Sequence, residues 1–597
     1  MTESISLMDY LKLAEYFEEL EKTSKRLEKT FIITKLLKDI VKENDPELFI
    51  NLIRGKVFPA WDERKIGVSD KIVMKALETS TGNSKETVVN LFSKLGDLGE
   101  VAFELIKNKK QVTLQNVRLT VDLVYNNIRD LADLEGDGTV NKKVGLISEL
   151  LTSATPLEAK FIVRLILEQM RTGAADSTLR DAIVWCFFSD KLRLSYEQSN
   201  NEFKLPDNNR KEYDLFVDKV QHGYDLTNDF AEVFKIIKEQ GINALEKITL
   251  KAGKPINVML YQKVKSVEEA FETVGKPLAL EYKYDGFRLQ IHNNNGKILL
   301  YTRRLENVTK QFPDVVDLIK KTVKGDNFIL DAEIIGIDPV SHKWLSFQNI
   351  SQRIKRKYDI EKLVKEVPVM VNVFDIISLN NESLISAPFV RRRNMIEKIV
   401  PNIPEKIQPA KQVVTDDIDT AKKFYEESLS LGNEGIMAKN LSGEYKPGSR
   451  VGYGVKIKPI LDTLDLVIVK ADHGEGKRTG WFTSFTVACQ DSSGNLLEIG
   501  KVGSGLKEKE EEGTTFEEIT NLLKPLIIST EGKTVNVKPQ VIIEVAFEEI
   551  QASNDSSSGF SLRFPRIISL RIDKKVSDIN FIDEIKITYD AQRGRNK

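Results

Sequence analysis

The stretch "LEYKYDGFRLQIH", Leu280 to His292, places a lysine between two short runs that alternate as strands do, with Glu281 before Lys283 and Arg288 after it. Asp285-Gly286 between the runs is a strong local signal for a two-residue hairpin turn, because turns that match strand twist need positive φ at their centre. With the turn centred there, Tyr284 pairs with Phe287. Lys283 then lies opposite Arg288, on the face that also carries Glu281 and Gln290. Two like charges facing each other destabilise a strand pair, so this reading requires a negative group between them. An amine beside a second cation is also a candidate nucleophile. From this stretch alone, the solvated face of an ordinary surface hairpin is the better explanation of the pattern, and the rest of the chain has to decide.

The chain has 597 residues, more than one core usually supports, so roughly three or four domains are expected. Hydrophobic residues at 41% and charged residues at 30% describe a soluble globular protein. "MTESISLMDYLKLAEYFEEL", the first twenty residues, lacks both a basic start and an apolar signal core. No apolar run approaches membrane-spanning length, so no membrane partner is expected. Cys186 and Cys489 can form neither a tetracysteine zinc module nor a disulfide framework, and a reducing compartment fits. A net charge of −1 allows a polyanionic partner only where basic residues gather on one surface.

Up to about Leu250 the pattern is almost purely helical, with Leu13, Phe17, Leu20 and Leu27 at helical spacing. In "TPLEAKFIVRLILEQMRTG", Thr155 is the expected cap, Pro156 the first helical residue and Glu158 the partner in a capping box, with Gly173 ending the helix. "STLRDAIVWCFF" starts another helix at once, so Arg171 and Gly173 fall in a tight corner. Such a corner suits a phosphate or is simply a structural turn. From about Pro255, strands and helices alternate: "KILLYTRRLEN", "FILDAEIIGI", "VMVNVFDIISL". After "KPILDTLDLVIV" the chain turns to strands with Gly-rich turns, which predicts a small β-barrel of the oligonucleotide-binding type. "HGEGKRTG" is Gly-rich and contains Lys477, but it fails the P-loop pattern and is expected to be a surface turn.

"KYDGFR" resembles the nucleotidyl-lysine motif of the covalent nucleotidyltransferases, the superfamily of DNA ligases, RNA ligases and mRNA-capping enzymes. "TRRLEN", "LDAEII", "VFDIIS", "EGIMAK", "VKIKP" and "LRFPRIISLRIDK" follow in the family's order. With "GDLGE" and the helical first third included, the whole chain resembles an ATP-dependent DNA ligase of the archaeal and eukaryotic replicative type. The resemblance implies a multi-domain α+β fold: a helical DNA-binding domain over 1–245, a mixed α/β adenylation domain over 246–460 and an oligonucleotide-binding barrel over 461–597. It implies that Lys283 attacks the α-phosphate of ATP, that the AMP passes to the 5′-phosphate of a nick, and that the 3′-hydroxyl then displaces it. All three steps are in-line displacements at phosphorus, where a protein supplies positioning and charge.

By the same resemblance Glu281 contacts the adenine, Phe374 stacks on it, and Arg288 and Arg303 reach the sugar and phosphates. Arg450, Lys456 and Lys458 surround the α-phosphate. Glu333 lies near ribose and metal, Glu434 is a metal ligand, and Arg571 and Lys574 grip the leaving pyrophosphate. The expected ion is Mg²⁺, since hard oxygen donors suit it. Arg171 and Gly173 are expected on DNA, and nicked duplex DNA is the expected partner of a monomer. The compartment implied is the cytoplasm for an archaeal-type protein, the nucleus for a eukaryotic one. Gly454 and Val455, Ile572 and Leu506 depart from the residues common in related ligases, without removing a charge that has a role. "NKKQVTL" lies where archaeal relatives can carry a sliding-clamp peptide but lacks the aromatic pair, so a clamp partner is not supported. An RNA ligase, a capping-type nucleotidyltransferase or a non-catalytic DNA clamp are the competing readings. The helical third argues against the first two, and the intact lysine with its phosphate-side partners against the last.

Overall fold

The computed structural model describes residues 8–43, 45–59, 62, 64–109, 117–134, 136, 138–345, 349–350, 353–354, 360–448, 450–459, 463–508 and 513–592. "NKKQVTL" falls largely outside them. Among the described residues, twelve α-helices from Tyr10–Lys22 to Phe230–Gln240 form the first third. Leu13, Phe17 and Leu20 are buried as their spacing predicts, in a core shared with Phe161, Ile162 and Trp185. Thr155, Pro156 and Glu158 start the helix Pro156–Ile166 with a complete capping box. That helix stops at Ile166 rather than at Gly173, because Glu168, Arg171 and Gly173 all take positive φ and unwind the chain before Asp176–Leu192. The almost purely helical pattern is interrupted locally. Strands β1 (Ser195–Glu197) and β2 (Glu202–Lys204) form a small hairpin that lays Tyr196 and Phe203 against Trp185 at 6.1 and 5.2 Å.

The middle third contains two sheets. One takes β3 (Leu260–Val264), β4 (Leu278–Lys283), β12 (Gln412–Thr415), β13 (Gly435–Asn440) and β14 (Arg450–Ile457), in the order β12-β4-β13-β14-β3. The other takes β5 (Phe287–Asn294), β6 (Lys297–Thr302), β7 (Asn327–Ile337), β8 (Trp344–Leu345), β9 (Val369–Leu379), β10 (Glu382–Ser383) and β11 (Ile407–Pro409), with β9-β7-β5-β6 as its centre. Each sheet buries one face. Leu280, Tyr282, Ile436, Ala438, Val455 and Ile457 pack beneath the first, and Leu289, Ile291, Leu330, Ala332 and Val373 beneath the second. Period-two alternation leaves both opposite faces to polar residues.

The last third is strand-rich, with β15 (Leu464–His473), β16 (Phe482–Gln490), β17 (Leu496–Val502), β18 (Ile527–Glu531), β19 (Thr534–Val537), β20 (Ile542–Ala546) and β23 (Arg566–Leu570) in one sheet. A hairpin of β21 (Glu549–Ala552) and β22 (Phe560–Arg563) stands apart from it. β15 pairs with β16, β19 and β20, a long strand shared along its length as a closing barrel requires. Among the described residues, no helix is long and apolar enough to cross a membrane.

Candidate active site

β4 and β5 do not form the hairpin that Asp285-Gly286 predicts. They belong to different sheets: β4 pairs with β12 and β13, and β5 with β6 and β7. Tyr284 to Gly286 is a crossing between the two. The residue opposite Arg288 is therefore Glu333, not Lys283, so the like-charge pair of the sequence reading is replaced by an arginine facing a carboxyl group. Gly286 does not have positive φ. Its lack of a side chain serves close approach, since a Cβ there would run into the Ile334 carbonyl oxygen and come within 2.8 Å of Glu333 Cγ.

The polar faces of the two sheets supply the site. Register places Gln412, Glu281 and Met437 side by side on one face, with Lys456 opposite Met437 and Lys263 beyond it. Lys283 lies on the same face, two residues further along β4 and opposite Gly435. From the other sheet come Arg288 and Gln290 of β5, Asp331 and Glu333 of β7, and Asn372 of β9. The β7–β9 register slips so that Val373 faces Ala332 and Asp375 faces Asp331. Phe374 is the extra residue of that bulge, which re-aims its ring.

Lys283 and Glu434 hold the mouth of the cleft together. The Glu434 amide donates to the Lys283 carbonyl at 2.9 Å, and Lys283 Nζ lies 2.6 Å from Glu434 Oε2. Lys458 Nζ reaches the same oxygen at 2.8 Å. The two ammonium groups hold the Glu434 carboxyl far below the usual range against the opposing effect of burial. Burial pushes Glu333 the other way, up to about 8, with Lys283 and Arg288 opposing and Glu434 and Asp285 reinforcing the rise. Lys456 is lowered by burial and by the charges of Lys458, Lys283 and Arg303, which puts the otherwise exposed Arg303 within the field of the cleft.

Deeper in, Glu281 is almost completely buried and fully engaged. Lys439 Nζ lies 2.6 Å from Oε2, the Gln412 amide donates to Oε1 at 2.9 Å, and Arg393 Nη1 is 3.6 Å from Oε1. Phe374 is flanked by Arg288 and Lys439, at 5.1 and 5.0 Å from its ring centroid. Arg288 is held by Asp331 at 2.7 Å and by the Met259 carbonyl at 2.9 Å. Tyr445 donates to the same Asp331 oxygen at 2.7 Å. Asp331 keeps Arg288 strongly protonated despite its burial.

Other assigned residues lie elsewhere. Arg571 and Lys574 do not join the Lys283 cluster but bind Asp465, at 2.9 and 2.5 Å. Arg563 reaches the cleft instead, 3.2 Å from Glu549, 3.8 Å from Asp285 and 4.0 Å from Glu434. Arg450 belongs to β14 by its backbone, and its side chain lies outside the described residues. Arg171 is paired with Asp97 at 3.1 Å and donates to the Gly96 carbonyl at 3.3 Å. Beside it the Gly476–Arg478 turn of the C-terminal third approaches closely. At Gly173 the neighbouring Thr172 carbonyl accepts from Lys29 Nζ at 2.5 Å. Asp331, Gln412, Met437, Lys439, Tyr445, Glu548 and Arg563 escape the sequence reading. Asp331, Met437, Lys439 and Arg563 sit inside recognised motifs that gave them no role, and Gln412, Tyr445 and Glu548 are made neighbours by packing that is distant in sequence.

A lysine held with further cations around one carboxylate, near an aromatic ring flanked by Arg288 and Lys439, is the arrangement of a nucleotidyltransferase cleft. Comparison with known proteins carries this to a family. Residues 9–184 match the DNA ligase N terminus, 258–458 the ATP dependent DNA ligase domain, and 478–574 the ATP dependent DNA ligase C terminal region. A DNA ligase of Nanoarchaeum equitans is 45% identical over 590 residues, 98% of this chain and 99% of that protein. One of Archaeoglobus fulgidus is 38% identical over 586 residues, covering 98% and 99%. The solved structure Pmar-Lig_PreS3 has the same fold, with a TM-score of 0.56 at 15% identity, covering 94% of this chain and 99% of that one. The chain belongs to the ATP-dependent DNA ligase family. It is an enzyme that joins DNA with ATP as the AMP donor.

Proposed function

We propose that Lys283 is the nucleophile of a nick-sealing reaction in duplex DNA and that the two polar sheet faces divide the work. The observation that carries this is the Lys283–Glu434–Lys458 cluster, with Nζ atoms 2.6 and 2.8 Å from one carboxylate oxygen. Glu434 holds Lys283 in place until a triphosphate enters. Lys456, Lys458, Arg303 and Arg450 then hold the triphosphate with its α-phosphorus before Lys283, which attacks as the amine once its ammonium proton has passed to solvent. The new bond is Lys283 Nζ to Pα, and the bond from Pα to the pyrophosphate oxygen breaks. Phe374 and Glu281 take the purine, and Arg288, fixed by Asp331, takes the sugar side.

Glu333 and Glu434 fit a divalent cation. They bring carboxylate oxygens to one cleft, and a bound cation would favour the ionised form of Glu333 that burial opposes. Magnesium, held by one or two carboxylates together with substrate phosphates, would neutralise phosphate charge there. Arg571 and Lys574 meet the pyrophosphate only after the C-terminal domain has turned from its present docking. Arg171 and the Gly173 corner serve the DNA backbone once Arg171 leaves Asp97. We divide the chain at 245/246 and 460/461, and read it as a cytoplasmic monomer that acts on nicked DNA.

The test is intact mass after incubation with α-labelled ATP and Mg²⁺, with GTP and NAD in parallel, on wild type and Lys283→Ala. An AMP adduct from ATP alone, absent in the variant and discharged by nicked DNA, is expected. A GMP adduct would support a capping-type enzyme, and a folded, unadenylated protein that takes no adduct would overturn the reading.

A further inference from the structure

Gln412 opens β12 directly across from Glu281, on the polar face of the first sheet. Its Nε2 donates to Glu281 Oε1 at 2.9 Å. A carboxylate only accepts hydrogen bonds, so this contact fixes the amide: the NH₂ faces Glu281 and Oε1 faces away from it. Glu281 itself is held on both oxygens by Lys439, Arg393 and Gln412. Lys439 also ties this group to the aromatic floor, donating to the Phe374 carbonyl at 3.3 Å with its ammonium 5.0 Å from the Phe374 ring centroid.

We propose that Gln412 is a specificity-determining residue that reads the 6-position of the purine, with its Oε1 accepting a hydrogen bond from the 6-amino group of adenine. This rests on the reading that the purine lies on Phe374 beside Glu281. A purine with an oxo group at C6 places acceptor against acceptor. Turning the amide over does not rescue it, because Oε1 would then face the Glu281 carboxylate. Lys439 and Arg393 therefore act through Glu281 as positioning residues, and Gln412 is the group that discriminates. β12 is the edge strand of its sheet, so position 412 accepts substitution without opening a core.

The experiment measures kcat/KM for formation of the lysyl-nucleotide with three triphosphates: ATP, purine riboside triphosphate, which has no group at C6, and inosine triphosphate, which has an oxo group there. Wild type should prefer ATP over purine riboside triphosphate by about tenfold, the effect of one hydrogen bond, and inosine triphosphate should be poorer still. Gln412→Leu should bring ATP and purine riboside triphosphate within about twofold of each other and narrow the inosine gap. Gln412→Ser, with thermal melting as the check on folding, serves if the leucine variant does not fold. Unchanged ratios in a folded variant would overturn the proposal and leave the 6-position to Glu281 or to backbone. A wild type that takes no adduct from ATP at all would overturn the lysyl-AMP reading, and this proposal with it.

Discussion

Lys458 of the cleft and Glu548 of the C-terminal domain are joined by a 2.8 Å ion pair, while the same ammonium stays 2.8 Å from Glu434. Together with Arg563 beside Asp285 and Glu434, this contact docks the barrel on the cleft with Arg563 inward. Arg571 and Lys574 are meanwhile occupied by Asp465. One domain thus carries Arg563 at the cleft and Arg571 and Lys574 away from it in this docking.

Separating the reaction steps should expose that alternation. Arg571→Ala is expected to slow lysyl-AMP formation by about 10²-fold, the cost of one preorganised charge on a transferring phosphoryl group, while leaving sealing of a pre-adenylylated nick nearly intact. Glu548→Gln and Arg563→Ala should do the reverse, sparing lysyl-AMP formation and slowing the sealing step. Rapid-quench assays of each step read this directly, and equal losses in both steps for all three variants would contradict the two-docking account.

Asp331 is fully buried beneath Arg288. Asp331→Asn should remove about 3 to 5 kcal/mol of stability, because a buried guanidinium is left without its counter-charge. Tyr445→Phe, which removes a neutral donor to Asp331 and the acceptor of the buried Met259 amide, should cost less, about 1 to 3 kcal/mol. Denaturant unfolding of both variants checks the order, and a cost for Tyr445→Phe as large as for Asp331→Asn would contradict it.

His292 is fully buried, accepts from the Gly253 amide at 2.9 Å and lies 2.9 Å from Gln290 Oε1. Burial lowers its pKa to about 3. The unfolded chain therefore takes up a proton near pH 6.5 that the folded protein refuses, so stability present above 6.5 is lost as pH falls towards 3. The slope is at most about 1.4 kcal/mol per pH unit. In His292→Gln this part of the acid sensitivity should be missing, measured as the difference between wild-type and variant unfolding free energies at pH 7.5, 5.5 and 4.5.

Gly286→Ala should destabilise the fold by about 1 to 3 kcal/mol through overpacking against Ile334 and Glu333. Because Glu333 must move to admit the methyl group, lysyl-AMP formation should fall by more than the loss of folded protein explains. Thermal melting beside adduct yield tests this; a wild-type melt with wild-type yield would contradict the close approach.

Much of this was legible in the residues. Helical spacing placed Leu13, Phe17 and Leu20 in a core, and Thr155, Pro156 and Glu158 fixed a helix start, because caps and periodicity are local properties of the backbone. The order of short motifs from "KYDGFR" to "RIDK" marked Lys283 and most of its neighbours.

The strand partners were not legible. Asp285-Gly286 and the alternation around it describe backbone that turns and side chains that alternate, and a crossing between two half-polar sheets satisfies both as well as a hairpin does. Which strand lies beside β4 depends on β12 and β13, more than a hundred residues later in the chain, and that choice is made by burying the apolar faces of both sheets at once. So the sequence determined the kinds of residue that do the chemistry and the order in which they come. Only the tertiary structure decided that Arg288 faces Glu333, that Gln412 supports Glu281, and that Arg563 rather than Arg571 stands at the cleft, because each of those contacts is set by long-range packing and no local signal carries it.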